Sequence, residues 1–128
     1  GVAGMGEKET ESMILDELGE GRAGELLGPR WGQMIASVAR TGAETHARAV
    51  RDLLADCLST LPALVARENR PALHFHFATF DAPRRELFPE ALEAYEASMR
   101  SGSLASIERV ARAGAERFLA QARSLLEV

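Results

Sequence analysis

Apolar residues recur along this chain at three- and four-residue intervals, the spacing of amphipathic helices. From Glu7 to Leu27 the signal rests on Ile14, Leu18 and the Leu26-Leu27 pair, with Thr10 and Ser12 as N-cap candidates. Gly19, Gly21 and Gly24 weaken that helix, each by about 1 kcal/mol against alanine. Gly28-Pro29 is expected to stop it. Trp31 to Arg40 predicts a short second helix presenting Trp31, Met34, Ile35 and Val38, punctuated by Thr41-Gly42. A long helix follows from about Glu44 to Arg67, striped by Val50, Leu53, Leu54, Cys57, Leu58, Leu61, Leu64 and Val65. Pro62 lacks a backbone donor and should kink or split that helix near Leu58.

Pro71 to Asp81 is ambiguous in period. Leu73, Phe75 and Phe77 alternate with His74 and His76, whereas Leu73, Phe77 and Phe80 also share a helical face. No second strand is offered for pairing, so a short helix or extended linker is expected. The clearest pattern is Ala82 to Val128, a pair of helices turning at Ser101-Gly102-Ser103. Pro83 suits a first helical turn, and Leu87, Phe88, Ala91, Leu92, Tyr95 and Met99 form the stripe behind it. Gly102 is expected at C′ and Ser103 as the next N-cap. The last helix aligns Ile107, Ala111, Gly114, Phe118 and Leu125, with Arg109, Arg112, Arg117 and Arg123 on its outer faces. The expected fold is all-α, an antiparallel bundle of about five to six helices. Residues 1–8 are expected to form a flexible N-terminal segment and 9–128 a single bundle domain.

Composition narrows the function classes. At 128 residues a single domain can bury about two-thirds of its unfolded surface. A net charge of −4 argues against a nucleic-acid surface, which carries a basic stripe. Lys8 is the sole lysine, a drift toward arginine that runs through the whole chain. One cysteine, Cys57, forbids an internal disulfide and lies in an apolar register, pointing to a reducing, cytoplasmic setting. No apolar run approaches the roughly 20 residues of a membrane helix.

Candidate chemistry is sparse. His74-x-His76 would face one way only in an extended segment, with Asp81 and His46 as further ligands; on a helix the pair diverges. Nothing sets a third ligand at a diagnostic spacing, so neither a metal nor another cofactor is expected. Cys57 has no histidine near it in sequence, no nucleophile elbow is present, and the glycines follow no strand. The acidic run Glu7, Glu9, Glu11, Asp16, Glu17 and Glu20 reads as a solvated helix face, and no catalytic residue is expected. Arg84-Arg85, at a helix start, could face a carboxylate or phosphate.

Two segments carry a family resemblance. Met34-Ile35-Ala36-Ser37-Val38-Ala39-Arg40-Thr41-Gly42 with Ala49-Val50-Arg51-Asp52-Leu53-Leu54 looks like a short helix, Gly turn and long helix. Ala91 to Gly102 followed by Ile107-Glu108-Arg109-Val110-Ala111-Arg112 looks like a closing helical hairpin. Together they make Trp31 to Val128 resemble the C-terminal effector domain of GntR-type transcription regulators, particularly the FadR-like branch. In that family's metal-binding members, ligands would fall at Gly28, Gly32, Leu92 and Gly114, none of which can bind a metal. The resemblance therefore implies a metal-free, ligand-sensing and dimerising domain of a bacterial regulator, not an enzyme. An apolar or acyl-type small molecule would lie near Trp31, Ile35, Leu92, Tyr95 and Phe118. The domain would be homodimeric, without membrane contact, and would leave nucleic acid to a DNA-binding domain that this chain lacks. The alternative is a structural or protein-interaction bundle without a small-molecule ligand, with a packed interior and an exposed apolar helix face.

Overall fold

The computed structural model describes residues 7–127, with side chains from Ile14 onward except that of Asp16. Every regular element among them is helical, as the periodicity predicts. Helix α1 spans Glu7–Leu27 and α2 Pro29–Ser37. Helix α3 (Gly42–Ala55) runs through a π-helical turn, Asp56–Thr60, into α4 (Leu61–Ala66). Then come α5 (Arg70–Ala78), α6 (Ala82–Leu87), α7 (Pro89–Ser101) and α8 (Ala105–Leu126). The core lies where α3 and its π-turn meet α8 on one side and α1 on the other, with α7 closing against α8.

The π-turn is the local answer to Pro62. A proline at 62 cannot donate to the carbonyls of the preceding turn, so the helix loosens there and Leu61 N–H reaches back to the Asp56 carbonyl. The Leu58 carbonyl, four residues before Pro62, accepts instead from Arg22 Nη1 of α1 at 2.8 Å. The expected disruption near Leu58 is therefore present as a π-turn.

Helix α1 takes its predicted bounds but buries a different stripe. Leu15, Gly19, Ala23 and Leu27 face the core, while Ile14 and Leu18 stand 53% and 57% exposed. The reason is steric. A Cβ on Gly19 would sit 2.6 Å from the Ala55 carbonyl oxygen, so α1 approaches the end of α3 along its smallest residues. Thr10 and Ser12 lie within α1, not at its cap, and the helix starts at Glu7, inside the segment expected to be flexible. The rest of that segment lies outside the described residues.

Pro71–Asp81 resolves as helix α5, capped by Asn69, whose side chain accepts from the Ala72 amide at 3.2 Å. The single helix expected after Ala82 is two. Phe88, held extended ahead of Pro89 (φ −137°, ψ 56°), breaks it and drives its ring into the core. Gly102 ends α7 in the left-handed region (φ 79°) as expected. Leu104, not Ser103, occupies the α8 N-cap position; the Ser103 hydroxyl accepts from the Ala105 amide at 3.2 Å. Ile107, Ala111, Gly114 and Phe118 form the α8 seam and are buried. No described helix is long and apolar enough to cross a membrane.

The glycines of α1 give a test. Gly19→Ala should destabilise the domain by about 2 kcal/mol, since backbone must move to admit the methyl group. Gly21→Ala and Gly24→Ala, where a Cβ meets nothing within 4 Å, should each stabilise it by about 0.5–1 kcal/mol. Urea denaturation of the three variants reads both signs.

Candidate functional site

A half-open groove of about 450 Å³ lies between the π-turn with α4 and helix α8. One wall is Cys57, Leu58, Pro62, Val65 and Ala66; the other is Glu108, Arg112, Ala115 and Glu116. Pro62, Val65 and Ala66 repeat as i, i+3 and i+4 on α4, with Leu58 just ahead of them in the π-turn, and Glu108, Arg112, Ala115 and Glu116 repeat as i, i+4, i+7 and i+8 on α8. Each wall is thus one helical face. The space exists because Pro62, Ala66 and Ala115 are short. The floor and one wall are apolar, and charge is confined to the α8 rim. There Arg112 donates to Glu108 across 3.0 Å, while Glu116 has no ion-pair partner among the described residues.

Cys57 lies at the base of this groove and is 2% exposed. Its sulfur faces Gly114, where a Cβ would come within 2.6 Å of it. Burial first, and then the Asp56 charge, push the thiol well above its ordinary range, so it stays protonated and unreactive. The sign for stability follows. A raised folded-state pKa means the unfolded chain loses its thiol proton first, above about pH 9. The contribution of Cys57 is complete below that pH and falls by up to about 1.4 kcal/mol per pH unit above it. Cys57→Ala should flatten this part of the stability profile between pH 9 and 10.5, as read from denaturation midpoints.

A second constellation is polar. Asp56, in the π-turn, is 2% exposed. Arg84 of α6 donates through Nε to Asp56 Oδ2 at 3.0 Å and through Nη1 to Asp81 at 3.1 Å. His76 of α5 places Nε2 at 3.7 Å from the same Asp56 oxygen, its ring flanked by Phe77 and Phe80. Burial acts first on Arg84, to lower its pKa, but Asp56, by charge and hydrogen bond, outweighs that together with Asp52 and Asp81, and the net shift is upward. A polar recess of about 80 Å³ lined by His76, Thr79, Phe80 and Arg84 is large enough for water. This cluster ties α5 and α6 to the π-turn, because a buried carboxylate must be answered by charge. Arg84→Met should cost about 3 kcal/mol by removing the guanidinium that pairs with the buried Asp56. Adding Asp56→Asn should recover part of that loss, giving a favourable coupling in a double-mutant cycle of denaturation free energies.

The residues singled out in the sequence are spread over α2, α7 and α8. Trp31 is buried and Ile35 half-buried on α2, which packs on α1, α3 and α8; the Trp31 indole N–H has no hydrogen-bond partner among the described residues. Tyr95 of α7 stacks on Phe77 at 4.7 Å, and its hydroxyl lies 2.7 Å from His74 Nδ1. Leu92 is half-buried on the same helix. Phe118 is fully buried edge-on to Phe88, with ring centres 5.0 Å apart. None of the five lines the groove. His74 and His76 diverge on α5, to Tyr95 and to Asp56, while His46 is exposed on α3. Among the described residues no group of three or more His, Cys, Asp or Glu side chains could hold a metal. Arg84 meets a carboxylate, within its own chain, and Arg85 donates to the Phe80 carbonyl at 3.0 Å.

Sequence reasoning missed the groove and Asp56. Pro62 was one available signal, since it marks where wall and floor meet. Asp56 was another, a lone carboxylate between Leu53-Leu54 and Cys57 in the apolar stripe.

The model of the C-terminal domain of a family of unknown function, DUF6866, matches residues 2–128. No curated protein and no solved structure matches the chain.

Proposed function

We propose a docking role for this chain, which belongs to the DUF6866 family of unknown function: a non-catalytic bundle that receives a helical segment of a partner protein. The observation that carries this is the groove, whose two walls are helical faces with an apolar floor and a charged outer edge. An amphipathic helix laid in such a groove buries its i, i+3, i+4 and i+7 residues against the floor. The packed aromatic pairs Phe88–Phe118 and Phe77–Tyr95 support a surface site over an interior one, as does the exposure of Ile14 and Leu18. These are the two features expected of a protein-interaction bundle.

A second reading keeps the apolar or acyl-type ligand that the resemblance to GntR-type effector domains implies. The groove volume favours it, lying within the roughly 300–1,000 Å³ of small-molecule pockets. It would move that ligand from the Trp31, Ile35, Leu92, Tyr95 and Phe118 set to the α4–α8 surface.

Thermal-shift measurements separate the two. The probes are a 16-residue amphipathic helical peptide of leucine, alanine and glutamine, and palmitate. A rise of a few degrees with the peptide, lost in a folded Ala115→Phe variant that fills the groove, is the expected result. A shift with palmitate alone transfers the groove to the small-ligand reading. No shift with either removes the groove as a binding site.

A further inference from the structure

Resting on the docking role, the geometry points to a longer surface and a chemically defined partner. We propose that the groove continues onto the outer face of α1 and takes an amphipathic helix whose apolar stripe is flanked by basic side chains. Three observations carry this. Leu58 is both a groove wall and the residue whose carbonyl holds Arg22 of α1 at 2.8 Å. Arg22 has Leu18 one turn before it and Leu26 one turn after, and both are exposed, as is Ile14 a further turn back. The exposed apolar residues of α1 are thereby brought beside the groove wall by a hydrogen bond to the wall itself.

The third observation is charge. The borders of this track carry exposed carboxylates, Glu17 and Glu25 on α1 and Glu116 on α8, without ion-pair partners among the described residues. Of the cations along it among the described residues, Arg112 is neutralised by Glu108, and Arg22 is committed to Leu58. A partner helix with lysine or arginine beside its apolar stripe meets this border favourably, and an acidic one is repelled. A second copy of this chain is a poorer occupant, because its own exposed apolar ridge would bring Glu17 and Glu25 against Glu116.

Fluorescence anisotropy with three labelled helical peptides tests this. They share one leucine stripe and carry lysine, glutamine or glutamate at the flanking positions. The lysine peptide should bind at least tenfold more tightly than the glutamate peptide, with the gap narrowing as salt rises from about 0.05 to 0.5 M. Glu116→Lys and Glu25→Lys should each shrink the gap. Leu18→Ser, an exposed substitution that leaves the core intact, should weaken the lysine peptide at least threefold. Equal binding of all three peptides overturns the charge assignment while leaving the docking role standing. Lysine-peptide binding that Leu18→Ser does not alter overturns the extension onto α1. No binding by any peptide overturns both the inference and the docking role. A dimer in light scattering that Leu18→Ser dissociates assigns the ridge to a second copy and overturns the inference.

Discussion

The structure depends on how closely two helices approach one turn of a third. Helix α1 reaches the end of α3 at Gly19, and α8 reaches the π-turn at Gly114; at each point a single methyl group would collide at 2.6 Å. Interiors packed to crystal-like density tolerate such contacts only where the side chain is absent. The turn between the two glycines is therefore held on both sides, and it is the turn that Pro62 has deprived of a backbone donor. Arg22 completes the arrangement from α1 by donating to the freed Leu58 carbonyl. Loss of regular hydrogen bonding is offset by a contact that exists only because the helices are so close.

The same turn buries Asp56, and the bundle answers it from two further helices. Arg84 and His76 come from α6 and α5, and the shared carboxylate ties both helices to the turn. Apolar packing positions α1, α3 and α8; α5 adds its own buried Ala72, Leu73 and Phe77 to that core, and the Asp56 cluster links α5 and α6 to the turn by charge. The groove is what remains on the far side of the π-turn, where Pro62, Ala66 and Ala115 are too short to close the gap.

The periodic signal made most of the architecture legible. The all-helical class, the bounds of α1, the Gly102 turn and the α8 seam from Ile107 to Phe118 follow from spacing and caps. Spacing failed on α1 itself, because Ile14 and Leu18 mimic a core stripe while the middle of the buried face, between Leu15 and Leu27, is Gly19 and Ala23, residues with little hydrophobic signal. It failed again at Phe88, where burial in the core accompanies a break in the helix. The site was less legible still. A groove is defined by missing side-chain volume on two helices distant in sequence, and neither Ala66 nor Ala115 announces what it faces. Of the five residues that the resemblance put around a ligand, Tyr95 stacks on Phe77 and Phe118 packs edge-on to Phe88, contacts that spacing alone does not announce.

The π-turn also sets the angular phase of everything beyond it. A π-turn accommodates one residue more than an α-turn, and each residue of an α-helix advances the face by about 100°. Leu61 to Ala66 are therefore rotated by about that angle from where a continuous α3 would have carried them. The apolar wall of Pro62, Val65 and Ala66 faces α8 by virtue of that offset, so one inserted residue, inherited from a proline's missing hydrogen, decides which side of the helix meets the outside world.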